Sequence, residues 1–263
     1  MHIGRAAPHL WEEPCITGEK GSGTIFFSSC GLSYVYCQNQ NLSRKERGKE
    51  VSIEELIALF YALEEKGCVN INFVTPEHYS ASILEAMRRA RERGFSLPFV
   101  WNSSGYQRAK VLKEFSGLID IYLLDFKYWD RSTAERYSKA GNYPEVAKEA
   151  LEEAVRQCPE LIFKEGILQK GVILRHLLLP GQVRQGKCIL KYSFGRYKNR
   201  ILYSLLSQYT PFGDLQDYPE INRKVYGKEY ERFTDYALNL GIENAFLQEE
   251  ESAKESFIPE FSV

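Results

Sequence analysis

Short apolar runs alternate with amphipathic stretches along almost the whole chain, and that alternation leaves few architectures open. A run of four to eight apolar residues bounded by polar or turn residues suits a strand covered on both faces. Seven runs stand out: Thr24 to Ser29, Val69 to Val74, Leu97 to Trp101, Ile119 to Leu124, Val172 to Leu178, Ile201 to Leu206 and Asn244 to Leu247. Helical patterns flank them, and repeated βα units build a parallel sheet with helices packed on it.

The clearest helix starts at Ser52, where Ser52 and Glu55 make an S-x-x-E capping box and Ile53, Leu56, Ile57, Phe60 and Leu63 mark one apolar face. Gly67 ends it. A second spans about Ser80 to Arg93, with Ile83, Leu84 and Met87 facing inward and Gly94 as the stop. Further helices are expected over Tyr106 to Phe115, Pro144 to Gln157 and Glu229 to Leu240. One domain over residues 1–263 is expected, with residues 1–23 as a lead-in to the βα units.

Charge excludes some partners. Lys and Arg total 34 against 35 acids, and the two signs are interspersed, so no nucleic-acid partner is expected. No run approaches the roughly 20 apolar residues of a membrane helix, and the first ten residues lack the apolar core of a signal peptide. A cytoplasmic protein is expected. In that compartment six cysteines point to metal binding, catalysis or burial rather than to disulfides. Cys68, Cys158 and Cys188 each stand alone and read as packing thiols, whereas Cys30 and Cys37 form a tight local pair.

Polar residues follow the strands: Cys30, Thr75, Asn102 with Ser103, Asp125 with Lys127, Arg175 with His176, Gln208, and Gln248 with Glu249. A (βα) barrel gathers its active site on that rim. After the first strand runs Cys30-Gly31-Leu32-Ser33-Tyr34-Val35-Tyr36-Cys37-Gln38-Asn39, preceded by Gly18, Gly21 and Gly23. Read alone, C-x6-C has no standard zinc spacing. His78 and His176 read as structural groups, and Glu249-Glu250-Glu251 as a solvated turn.

The loop resembles the C-x3-C-x2-C loop of radical S-adenosylmethionine (SAM) proteins, with Tyr34 at the middle cysteine position. Distant segments resemble an uncharacterised branch of the pyruvate formate-lyase activating-enzyme-like family. They include Trp11-Glu12-Glu13-Pro14-Cys15, Asn72 to Tyr79, Asn102 to Tyr106, Asp125-Phe126-Lys127-Tyr128, Arg175 to Gly181, Gln208 to Pro211 and Ser256 to Phe261.

The resemblance implies an α/β fold, a partial (βα) TIM-like barrel of the radical SAM type with parallel strands. It implies a [4Fe-4S] cluster on Cys30 and Cys37 and a SAM molecule at the iron left open. Tyr36 matches the aromatic adenine contact. Asn102, Ser103 and Asp125 match a cation site beside SAM, Lys127 a lysine near the ribose, and Arg175 a strand carrying polar SAM contacts. Thr75-Pro76-Glu77 stands where many relatives have Gly-Gly-Glu, and Pro76 removes one backbone donor.

The implied activity is reductive SAM cleavage to a 5′-deoxyadenosyl radical. A glycyl-radical enzyme or another protein would be the substrate, and flavodoxin or ferredoxin the electron donor. Three accounts of Tyr34 stand: a non-catalytic SAM-binding or scaffold homologue that lost the cluster, a replacement ligand such as Cys15 or Tyr34 itself, and a variant of an active parent.

Overall fold

A computed structural model of the chain describes residues 1–40 and 48–247. Among them, strands β2 (Ser22–Phe27), β4 (Ile71–Val74), β5 (Phe99–Ser103), β6 (Ile121–Asp125), β8 (Ile167–Leu177), β9 (Leu202–Leu206) and β10 (Ala245–Leu247) run parallel in that spatial order. All seven expected strands are present, shifted by a few residues at their ends. The sheet does not close on itself, which is the expected partial (βα) barrel with parallel strands.

Its helices are α1 (Pro14–Thr17), α2 (Ile53–Glu65), α3 (Ser80–Glu92), α4 (Ala109–Lys113), α5 (Arg131–Ser138), α6 (Tyr143–Gln157), α7 (Val183–Tyr197) and α8 (Gly227–Leu240). The capping box at α2 forms as read: Ser52 Oγ accepts from the Glu55 amide at 3.2 Å, and Glu55 accepts from the Ser52 amide at 2.7 Å. The helix expected over Tyr106 to Phe115 is the short α4, because Ser103 and Ser104 hold the preceding residues in a turn.

Sequence periodicity missed three antiparallel strands. β1 (His2–His9) pairs with β2 and β3 (Lys49–Glu50), so the expected lead-in carries an edge strand. β7 (Ile162–Lys164) folds back on β8. The acidic stretch Glu249–Glu251, with Gln248, lies outside the described residues.

The two faces of the curled sheet differ. Ile71, Phe73, Phe99, Trp101, Tyr122, Leu174 and Tyr203 point outward, into a core shared with the helices through Phe60, Ala86, Leu112 and Phe233. The residues alternating with them point into the barrel lumen. Val100, Ile121, Leu123, Ile173 and Leu202 form an apolar layer there, packed against Cys15 and Ile16 of α1. Asn72, Asn102, Asp125, Arg175 and Ser204 share the same face by register, and the last four of these stand toward the C-terminal ends of their strands. Between β1 and β2, the segment from Glu12 to Ile16 thus meets the lumen face.

Candidate functional site

Two charged residues come from strand ends. Asp125 closes β6, and Arg175 lies beside it on β8 in direct register. The Arg175 Nε donates to Asp125 Oδ1 at 2.6 Å, and its other amino group donates to Asn102 Oδ1 at 2.8 Å. Lys127 Nζ donates to the second Asp125 oxygen at 2.7 Å. From α1's lead-in, Glu12 approaches Arg175 at 3.5 Å and Glu13 at 3.8 Å. Asn102 Nδ2 donates to Glu12 at 3.3 Å.

These groups are all largely shielded from water, and their protonation follows from that. Burial disfavours the Asp125 anion, but Arg175 and Lys127 outweigh it and hold the carboxyl at about 2. Glu12 is pushed up to about 7, first by burial and then by the neighbouring Glu13, with Arg175 opposing. Burial also penalises the guanidinium, yet Asp125, Glu13 and Glu12 raise Arg175 above its ordinary value.

The loop after β6 is braced by a residue that periodicity did not single out. The Tyr143 hydroxyl accepts from the Lys127 amide at 2.8 Å and donates toward the carbonyls of Ser104 at 2.9 Å and Asp125 at 3.0 Å. Gly105 closes the same junction with φ +74°, and a side chain there would strike the Asp125 carbonyl. A tyrosine at the first turn of a helix gives no motif, so sequence reading could not flag it.

The cysteine loop leaves β2 through Ser29, held at φ 72°, and the chain leaves the neighbouring β4 through Thr75, held at φ 56°. Left-handed backbone at two adjacent non-glycine positions is strain of the kind that collects at functional sites. Burial first, then Glu77, raises the Cys30 thiol to about 12, and the nearby Cys37 adds to that rise. Tyr34 sits between them. Its hydroxyl contacts the Cys37 side chain, and desolvation first, then both thiols, keeps it a neutral phenol. Lys127 Nζ stands 4.7 Å from the Tyr34 ring centre, which joins this loop to the charged cluster.

Glu77, in the segment Thr75-Pro76-Glu77, receives the Ser104 amide and hydroxyl, each at 3.0 Å on one carboxylate oxygen. The other oxygen is buried without a partner.

The structure therefore gathers Cys30, Cys37, Asn102, Asp125, Lys127 and Arg175 on one rim, as their positions after strands suggested. Ser103 does not join them, since it faces the helices and its Oγ accepts from the Gly105 amide at 3.2 Å. Tyr36 is buried among tyrosines, its hydroxyl 2.6 Å from that of Tyr128 and its ring 4.9 Å from Tyr34. His176 also faces the helices, with Nδ1 bonded to the Phe126 carbonyl at 2.7 Å and burial lowering it to about 4. Cys15 packs in the apolar lumen layer with Val100, Ile121 and Leu202, at the opposite end of the strands from Cys30. It is not placed to replace the third thiolate, because α1 carries it into the barrel interior.

A [4Fe-4S] cluster that leaves one iron open requires three thiolates. The donor set here is two thiols and a neutral phenol, a hard oxygen poorly matched to a sulfide cluster, so these residues do not fit that group. Among the described residues, no three His, Cys, Asp or Glu side chains are grouped to hold a metal ion. No described helix is long and apolar enough to cross a membrane.

No protein-family model matches the chain. An uncharacterized protein of Methanocaldococcus jannaschii is 28% identical over 246 residues, spanning 89% of this chain and 66% of that protein. Streptococcus suis SuiB bound to S-adenosylmethionine superposes with a TM-score of 0.58 at 13% identity, covering 85% of this chain and 49% of SuiB. SuiB bound to its precursor peptide SuiA gives 0.56 at 12% identity, covering 84% and 47%. The chain thus spans about two thirds of the archaeal relative and about half of SuiB, and with SuiB it shares the fold.

Proposed function

We propose that this chain is a SAM-binding protein of the radical SAM type, with the nucleoside held at the rim where Arg175, Asp125, Asn102 and Lys127 converge. The observation that carries this is the convergence itself: four polar residues from three strands and one loop meet beside the cysteine loop, shielded from water. Arg175 and Lys127 suit the carboxylate and ribose of such a ligand, and the free Glu77 oxygen suits its ammonium. The likeness to SAM-bound SuiB supports the ligand, and the likeness to its peptide complex supports a protein or peptide as the eventual substrate.

The placement of Cys30 and Cys37 about one point favours a second, more specific reading, an enzyme that cleaves SAM reductively and activates a glycyl-radical protein. Tyr34 withholds the third thiolate, so the chain as it stands is read as the SAM-binding, non-catalytic form.

Equilibrium dialysis with labelled SAM tests the first reading: saturable binding is expected, lost in Arg175→Met. Anaerobic iron and sulfide reconstitution tests the second. Tyr34→Cys is expected to hold about four irons and give a SAM-responsive paramagnetic signal, and the unaltered chain neither. A SAM-responsive cluster in the unaltered chain would overturn the non-catalytic reading, and no SAM binding would overturn the first.

A further inference from the structure

The lumen cluster holds more carboxyl groups than cations. Glu12, Glu13 and Asp125 are three carboxylates, and Arg175 and Lys127 are the two cations that face them. The other groups around this cluster are neutral: Asn72 on β4 and Asn102 on β5 beside Glu12, Ser204 on β9 beside Arg175, and the Cys15 thiol on α1 near Glu13. Burial of an unbalanced carboxylate is costly unless it is protonated or meets a cation.

The same walls hold polar atoms with no hydrogen-bond partner. They are the second oxygen of Glu13, the side-chain oxygen of Asn72, whose nitrogen faces Glu12, and the Ser204 hydroxyl, all on residues no more than 6% exposed. Buried polar groups are nearly always satisfied, so three such atoms around one charged cluster require a reason. Most are acceptors. A ligand group carrying positive charge would supply both what the charge count lacks and what these atoms lack.

We propose that Glu12 is the specificity residue of this pocket, receiving the cationic part of the ligand and thereby selecting SAM over S-adenosylhomocysteine. The inference rests on the SAM reading and deepens it. SAM carries ammonium, sulfonium and carboxylate and is a net cation, whereas the homocysteine form lacks the sulfonium charge. With Glu77 assigned to the ammonium and Arg175 and Lys127 to the carboxylate, the sulfonium is left for Glu12, and it is the charge that the homocysteine form lacks.

A protonic consequence follows. In the free protein Glu12 is held near neutrality by burial and by Glu13. A bound cation lets it ionise, so binding releases a proton around neutral pH and the affinity for SAM climbs as pH rises through that range. The homocysteine form has no such dependence.

Calorimetric titration of SAM and of S-adenosylhomocysteine into the full chain tests this, on both sides of neutral pH and in two buffers of different ionisation heat. The expected result is a SAM preference of at least about tenfold on the alkaline side, with proton release on binding SAM alone. In Glu12→Gln the preference should fall toward unity and the release vanish. Equal affinities in the unaltered chain, or a preference surviving in Glu12→Gln, would overturn the assignment of Glu12 and leave the SAM reading intact. Binding of neither nucleoside would overturn both. Proton release in the unaltered chain needs no variant, so a Glu12→Gln protein that failed to fold would still leave the proposal open to refutation.

Discussion

The two layers of the lumen are built from the same strands and the same face, yet they obey opposite rules. In the lower layer Val100, Ile121, Ile173 and Leu202 close on Cys15 and Ile16 with no polar atom to satisfy but a thiol. In the upper layer, one pleat further along, Asn102, Asp125, Arg175 and Ser204 meet two carboxylates from the same inserted segment. The lower layer is stable because it is dry and apolar. The upper layer is held by a network in which every charge depends on another, and such an arrangement persists where a ligand uses it.

That contrast breaks most sharply at Arg175. Arg175→Met removes the one guanidinium that faces Asp125, Glu12 and Glu13, leaving buried carboxylates with Lys127 alone. A loss of about 3–5 kcal/mol is expected in urea unfolding, together with the loss of SAM binding. Ile173→Ala, two residues earlier on the same strand, opens a cavity costing about 2–4 kcal/mol but should leave SAM affinity within about twofold. If the lower-layer variant weakened SAM as much as the upper one, the division of labour between the layers would be wrong.

A smaller effect sharpens the comparison through pH. The folded state raises the Glu12 carboxyl, so it binds a proton more tightly than the unfolded chain does. Its contribution to stability is therefore full below the ordinary carboxylate value of about 4.5 and is lost as pH rises through about 7. Asp125 acts in the opposite direction: its lowered value gives stability that is present above the ordinary carboxylate range and lost only in strong acid. Glu12→Gln is expected to stabilise the ligand-free protein by about 1–3 kcal/mol on the alkaline side of neutrality and to change little near pH 4–5. Thermal melts across that range check it, and a pH-independent offset would contradict the assigned protonation.

How much of this was legible in the sequence divides along the same line. The apolar alternation located all seven parallel strands, because strands buried on both faces leave a continuous hydrophobic signature and the half-exposed edge strand β10 still carries a short apolar run. The rim residues Asn102, Asp125, Lys127 and Arg175 were legible because polarity returns where a strand ends. Ser103 was misplaced by the period-2 rule itself, since the neighbour of a lumen residue faces the helices. Nothing in the residues Trp11 to Cys15 announced that they enter the barrel, because an inserted segment has no periodicity of its own and its burial depends on contacts with β8 and β5. β1, whose residues are mostly half-buried, lacks the apolar run of a central strand and was read as a lead-in for that reason.

The smallest expected effect concerns the brace between the two strand-end loops. Tyr143 is buried in the helix-side core, and its hydroxyl reaches across to the Lys127 amide and the carbonyls of Ser104 and Asp125. Tyr143→Phe keeps the ring packing and removes only the hydroxyl, leaving one amide and two carbonyls to find other partners. A stability loss of about 1 kcal/mol is expected. Because Lys127 carries both the Asp125 ion pair and the contact with the Tyr34 ring, the variant should also weaken SAM binding, by about three- to tenfold, without changing the preference over the homocysteine form. Dialysis with both nucleosides separates these effects. A change in preference would move the selectivity from Glu12 to the loop, whereas a uniform loss would confine Tyr143 to positioning and leave charge recognition with the lumen.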